Sequence, residues 1–296
     1  MRLIVTGTNG QVVRALSELG SAAGVEISTI SRPELDLADP ALVGRALANI
    51  DGDLLINAAA YTEVDRAEDD EDLAMRVNGE GAGALATFAA LRGMPFLHLS
   101  TDYVFDGEQN RPYREDDPTG PIGAYGRSKL AGEIAVLGAC PDATIFRTAW
   151  VYSPFGGNFI KTMLRLGESR EEVSVVADQR GAPTSALDIA SALISAAHKR
   201  LAEPDNHALA GIFHMTGAGE ATWADFAEEI FAEAERFGRR PMRVRRIETK
   251  DYPTPARRPA NSRLSNEKLA AVYGIELPDW KISVRACVAR LLTENH

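Results

Sequence analysis

Cysteine is nearly absent: the 296-residue chain has two, Cys140 and Cys287. Two thiols cannot build a disulfide framework or a zinc cluster, and both read as buried filler in a reducing compartment. Long apolar runs are missing as well. No stretch approaches the roughly 18 residues of a membrane-crossing helix. The first apolar run ends at Gly7, too soon for a secretory leader, so a cytoplasmic protein with no membrane partner is expected. Basic charge is in short supply, with 32 Lys and Arg against 42 Asp and Glu, a net of −10. That argues against a nucleic-acid partner, whose phosphates call for a basic face. The five histidines show no metal-ligand spacing, so no metal site is expected. What remains is ordinary globular composition, 45% hydrophobic and 25% charged, which excludes a disordered tail or a collagen-like rod.

The first half alternates short β-rich runs with helical patterns. Strands are expected at 3–5, 27–30, 53–57, 96–100 and 144–147, and helices through 15–16 and over 41–50, 73–91 and 125–137. The strand runs are too continuous for one-sided burial, which indicates a parallel sheet covered on both faces. Right-handed crossovers then give an α/β fold, a Rossmann-type doubly wound parallel sheet with a smaller C-terminal α/β substrate-binding lobe. A soft boundary near residue 150 divides a dinucleotide-binding domain (1–150) from a mainly substrate-binding lobe (151–296), and the chain is free to cross between them. In that second half, helices are expected at 159–166, 186–197 and 223–235, and strands at 173–176 and 212–214.

Between the first strand and the first helix lies Thr6-Gly7-Thr8-Asn9-Gly10-Gln11-Val12-Val13. Gly7 allows a tight turn, Gly10 lets the backbone approach a pyrophosphate, and free N–H groups at the helix start face the anion. Val13 stands where a third glycine is usual. Arg32, just past the second strand, reads equally as a partner for a ribose 2′-phosphate, favouring NADPH over NADH, or as a solvated arginine. Asp36-Leu37 lies in a turn where the acid could equally serve the next helix. Ala58-Ala59-Ala60 ends the third strand with side chains small enough for a ring system, or for tight helix packing.

Tyr125 and Lys129 are four residues apart and share a helix face. The preceding strand ends in Ser100-Thr101-Asp102, at the sheet edge. An ammonium beside a phenol lowers the phenol pKa, and a tyrosine so tuned can protonate a carbonyl oxygen as hydride reaches the carbon. The Thr101 hydroxyl can donate to the same oxygen.

These segments resemble the extended short-chain dehydrogenases/reductases, and among them most closely the dTDP-4-dehydrorhamnose reductase family. The matching runs are TGTNGQV at Thr6, NAAAYTEVDRAE at Asn57, STDYVFDG at Ser100 and YGRSKLAGE at Tyr125. RTAWVY at Arg147, DQRGAPT at Asp178 and YPTPARRPANSRL at Tyr252 complete the order along nearly the whole chain. The resemblance implies reduction of the 4-keto group of dTDP-4-dehydro-L-rhamnose with NADPH or NADH. Tyr125 would be the general acid, Lys129 its tuner and ribose anchor, and Thr101 the oxyanion partner. Gly10, Gln11, Val12, Asp36, Leu37, Ala59, Ala60 and Thr62 fall on the family's cofactor-contact positions. Thr101, Asp102 and Trp150 fall on its sugar-nucleotide contacts. Some members use magnesium at a dimer contact; no matching set of acids is found here, and a homodimer is left open. Another sugar-nucleotide ketoreductase, or a non-catalytic NADP-binding subunit of the same fold, is the alternative reading.

Charge is uneven along the chain. Residues 1–150 hold 12 basic and 23 acidic side chains, whereas residues 151–296 hold 20 and 19. Residues 236–263 alone hold ten bases and two acids. Arg257 and Arg258, in a proline-rich loop, are expected to hold the substrate diphosphate through their guanidinium forks. Arg239 to Arg246 read instead as a solvated face. The acidic run from Glu68 to Asp72 reads as charge complementing a helix dipole.

Overall fold

A computed structural model describes residues 1–294. In chain order the first half runs β1 (Arg2–Thr6), α1 (Gln11–Ala22), β2 (Glu26–Ile30), α2 (Val43–Leu47), β3 (Leu54–Asn57), α3 (Glu71–Met75), α4 (Gly81–Leu91), β4 (Phe96–Thr101), α5 (Ala124–Ala139) and β5 (Thr144–Thr148). The second half runs β6 (Val151–Tyr152), α6 (Phe159–Ser169), β7 (Glu172–Val176), β8 (Arg180–Gly181), β9 (Thr184–Ser185), α7 (Ala186–Ala202), β10 (Gly211–His214), β11 (Ala221–Thr222), α8 (Trp223–Arg236), β12 (Arg243–Ile247), α9 (Glu267–Tyr273) and α10 (Trp280–Thr293).

The central sheet has six parallel strands in the order β10-β5-β4-β3-β1-β2. Every residue of β3 and β5 is buried, as continuous apolar runs require when helices cover both faces. Leu3 and Val5 point into one core with α1 and α7, while Ile4 points into the other with α2, α4 and α5. The order of winding reverses between β1 and β3, and ligands of open α/β sheets bind outside the carboxyl ends at such a switch point. Both α7, which packs on α1, and β10, the edge strand, come from beyond residue 150. A third core, built on α6, α8 and α10 beside the β7–β12 pair, forms the smaller lobe.

Two expected helices differ from the reading of the sequence. The stretch 73–91 is α3 and α4 joined by a π-helical turn at Arg76–Glu80. The stretch 41–50 shortens to a 3₁₀ turn and α2. No expectation was attached to α10, although Trp280, Val284, Cys287 and Val288 are buried at helical spacing and the signal was there to read.

Candidate active site

The loop after β1 closes tightly. Gly7 adopts φ +94°, a conformation that favours glycine, and its N–H donates to the Ile30 carbonyl at 2.7 Å. Gly10 is the N-cap of α1 and leaves the first N–H groups of that helix facing outward, with no side-chain cap. Val13 finds a niche: it is buried on the inner face of α1, its Cγ2 3.3 Å from where a Gly7 Cβ would stand. The Thr6 hydroxyl donates to Asn57 Oδ1 at 2.6 Å and accepts from the N–H groups of Ala58 and Ala59. Ala58, Ala59 and Ala60 are therefore held half-buried beside the Gly7 loop.

The other expected cofactor residues are spread around this edge. Asn9, Arg32 and Thr62 are exposed. Asp36 accepts from the Ala38 N–H at 3.0 Å, a local turn, while Leu37 is buried against α4. Val12 is buried in the α1 core. The Gln11 amide spans the two lobes, accepting from Ser153 Oγ at 2.8 Å and Asn158 Nδ2 at 3.0 Å.

Thr101, Asp102, Tyr125 and Lys129 come together where α5 crosses the end of β4. Close approach is possible because Gly126 and Gly132 lack a Cβ. One at Gly126 would stand 2.2 Å from the Tyr103 carbonyl, and one at Gly132 2.1 Å from that of Asn78. The π-helical turn presents Asn78, which bonds both the N–H and the carbonyl of Tyr61 and donates to Ser128 Oγ at 2.9 Å. Asn78 thus ties the segment after β3 to the helix that carries Tyr125. The acidic run contributes more than dipole charge: Glu68 accepts from the Ala124 N–H at 2.9 Å, capping α5, and Glu71 grips Arg127 through two bonds.

Tyr125 packs edge-on to Tyr103 at 5.5 Å, with its phenol beside the Thr101 side chain. Burial raises its pKa, the Thr101 side chain opposing, so the expected lowering by Lys129 is not seen. The Lys129 ammonium is engaged elsewhere, donating to the Leu99 carbonyl at 2.7 Å. A phenol so held is protonated at neutral pH, the state in which it can donate. Burial draws Lys129 down to about 8. Asp102, buried, is pushed up to about 6 by desolvation, and its Oδ1 accepts from the Thr101 hydroxyl at 2.9 Å.

Beside this cluster, Trp150 holds a left-handed backbone (φ 49°) and stacks on Trp223, ring centroids 3.8 Å apart. Trp223 lines a cavity of about 550 Å³ with Phe159, Val173, Gln179, Tyr252 and Arg258. The two expected diphosphate arginines separate here. Arg258 faces that cavity and pairs with Asp65 at 2.8 Å, whereas Arg257 is exposed and lines none of it. Arg243 and Arg246 are exposed on β12 and ion-paired with acids of their own lobe. A larger cavity, about 860 Å³ between α6, α8 and α10, contains none of the residues at the end of β4. Among the described residues no cluster of three or more His, Cys, Asp or Glu could hold a metal ion.

Trp223, Asp65, Asn78 and Glu68 were not foreseen. Asp65 and Glu68 lie inside the run matched at Asn57, so that match was an available signal for them; Asn78 and Trp223 lie in none.

Comparison with known proteins places the chain as a whole. A dTDP-4-dehydrorhamnose reductase of Sinorhizobium fredii is 50% identical over 295 residues, covering 100% of this chain and 99% of that protein. The solved structure of a Clostridium acetobutylicum dTDP-4-dehydrorhamnose reductase superposes with TM-score 0.90 at 37% identity, over 98% of this chain and 99% of that one. The Bacillus anthracis enzyme, solved in complex with NADP, gives 0.89 at 34% identity, over 98% and 99%. Residues 1–293 match the family described as the RmlD substrate binding domain, and the chain belongs to that family.

Proposed function

We propose that the protein reduces the 4-keto group of dTDP-4-dehydro-L-rhamnose to give dTDP-L-rhamnose, in the cytoplasm, with NADPH as coenzyme. The observation that carries this reading is Tyr125, buried and protonated beside Thr101 at the carboxyl edge of the sheet, one helical turn from Lys129. Residues 1–150 hold the coenzyme and residues 151–296 mainly the sugar nucleotide. The Gly7 turn, the uncapped α1 N-terminus and the small Ala58–Ala60 edge fit a dinucleotide, its pyrophosphate at Gly10, Gln11 and Val12. Asn9, Asp36, Leu37 and Thr62 complete that site, and Arg32 meets the 2′-phosphate. Bound there, NADPH supplies the hydride.

This chain supplies the proton and the fit. Tyr125 donates its phenolic proton to the C4 oxygen as negative charge develops there. Lys129, charged, turns from the Leu99 carbonyl to stabilise the phenolate left behind and anchors the ribose. Thr101 turns its hydroxyl from Asp102 to the same oxygen, and Asp102 holds a sugar hydroxyl. The Trp150–Trp223 stack borders the sugar nucleotide, and Arg258, which faces the cavity, meets its diphosphate.

The test is coenzyme oxidation by the purified protein with dTDP-4-dehydro-L-rhamnose made in situ. Turnover with NADPH is expected. Tight NADPH binding with no oxidation would favour the non-catalytic subunit reading instead.

A further inference from the structure

Tyr125, Lys129 and Glu133 follow one another at four-residue steps on one face of α5. The last two grip successive residues of β4. Lys129 Nζ donates to the Leu99 carbonyl, and Glu133 Oε1 accepts from Ser100 Oγ at 2.5 Å. The next residue is Thr101. Glu133 also takes Arg147 in a two-bonded fork, Nε to Oε1 at 2.8 Å and Nη2 to Oε2 at 2.6 Å. Arg147 lies opposite Ser100 in the β4–β5 ladder, its guanidinium 4.9 Å over the Phe105 ring. Glu133 and Arg147 are each 2% exposed and Lys129 3%.

An ion pair this deep is a poor choice for stability alone, because apolar residues of similar volume commonly do as well. We propose that Glu133 is a positioning residue for the reduction: it fixes the end of β4 against α5 and keeps the Lys129 ammonium charged. This rests on the reductase reading above. The other groups on the elements packed against Lys129 are as follows. Tyr125 is protonated. His98, on β4, is held neutral by burial and by the Lys129 charge. Arg147, on β5, is a second cation, and Asn78, on the π-helical turn, is uncharged. Asp102 lies past the end of β4 and is occupied by Thr101. Against the desolvation that lowers Lys129, the Glu133 carboxylate is the group that raises it.

The pair gives a test with opposite signs. In the full chain labelled with ¹³C at lysine Cε, Lys129 is one of six lysines, and its titration reads the ammonium directly without coenzyme. Glu133→Gln is expected to lower the Lys129 midpoint by about one pH unit or more. The basic limb of the pH profile for NADPH oxidation moves the same way. Arg147→Met leaves Glu133 to face Lys129 without a competing cation, and the midpoint rises. The double variant Glu133→Gln/Arg147→Met refills the space without buried charge and keeps the lowered midpoint, so an unstable single variant does not end the test. A Lys129 titration unchanged in these variants, or moved the same way by both single ones, would overturn the proposal and leave Glu133 a structural anchor. Wild-type protein that fails to oxidise NADPH with the keto sugar refutes the reductase reading separately, since the NMR titration does not depend on turnover.

Discussion

Replacing Tyr125 with Phe removes one oxygen and little else. The ring contact with Tyr103 at 5.5 Å survives the change, as does the glycine-mediated approach of α5 to the end of β4. What is lost in the ground state is at most one hydrogen bond, worth about 0.5–1.5 kcal/mol of net stability. What is lost in the transition state is the proton donor. General acid catalysis contributes about 10²–10⁴ in rate, or roughly 3–5 kcal/mol of barrier. The two losses differ enough to be separated. Thermal melting and NADPH affinity of Tyr125→Phe are expected to stay near wild type. Single-turnover coenzyme oxidation with saturating keto sugar falls by at least about a hundredfold. Turnover within a few-fold of wild type would show that another group, or water, protonates the C4 oxygen, and the roles assigned here to Tyr125, Lys129 and Thr101 would fall together.

Other consequences follow from the same geometry. Arg32→Ala is expected to weaken NADPH by about tenfold or more, the worth of a charge-assisted contact, and to leave NADH unchanged; equal losses in coenzyme titrations would free Arg32 of that role. Asp102 has a native pKa of about 6 against an ordinary 3.8, so the folded state binds the extra proton between those values and stability declines as pH rises through them. Asp102→Asn removes that decline: its melting temperature should exceed wild type at about pH 8 and match it at about pH 4, with a gain of at most about 3 kcal/mol. No gain at the higher pH would mean that the carboxylate is stabilised by bonds an amide cannot make. Gly132→Ala places a Cβ 2.1 Å from the Asn78 carbonyl. Overpacking of about 1–3 kcal/mol should then appear in denaturant unfolding, with kcat reduced as α5 is pushed from the π-helical turn.

The central sheet was legible because its strands are buried on both faces and write themselves as unbroken apolar runs between helices. The Gly7–Gly10 loop and the Tyr125–Lys129 pair were legible because each is local, a turn and one helical step. The parts that were not legible depend on residues far apart in the chain. Glu133 and Arg147 are fourteen positions apart, and nothing local shows that they pair until α5 is laid on β4 and β5. Glu68 reads as one acid in a solvated run until the N-terminus of α5 arrives 56 residues later. The π-helical turn interrupts a stretch whose alanine-rich pattern is that of a single helix, and its reason is Asn78, which bonds Tyr61 and Ser128. Arg257 and Arg258 are indistinguishable in sequence; Asp65 and the cavity beside Trp223 separate them. The Tyr125 pKa was misread for the same reason. Proximity to Lys129 was visible, whereas the burial that raises the phenol was not.

The most direct measurement follows the transferred atom. With coenzyme deuterated at the reactive nicotinamide carbon and dTDP-4-dehydro-L-rhamnose as substrate, the protein is expected to give dTDP-L-rhamnose carrying deuterium at C4 of the sugar, read by NMR of the isolated product. Unreduced keto sugar, or reduced sugar with no deuterium at C4, would contradict the account.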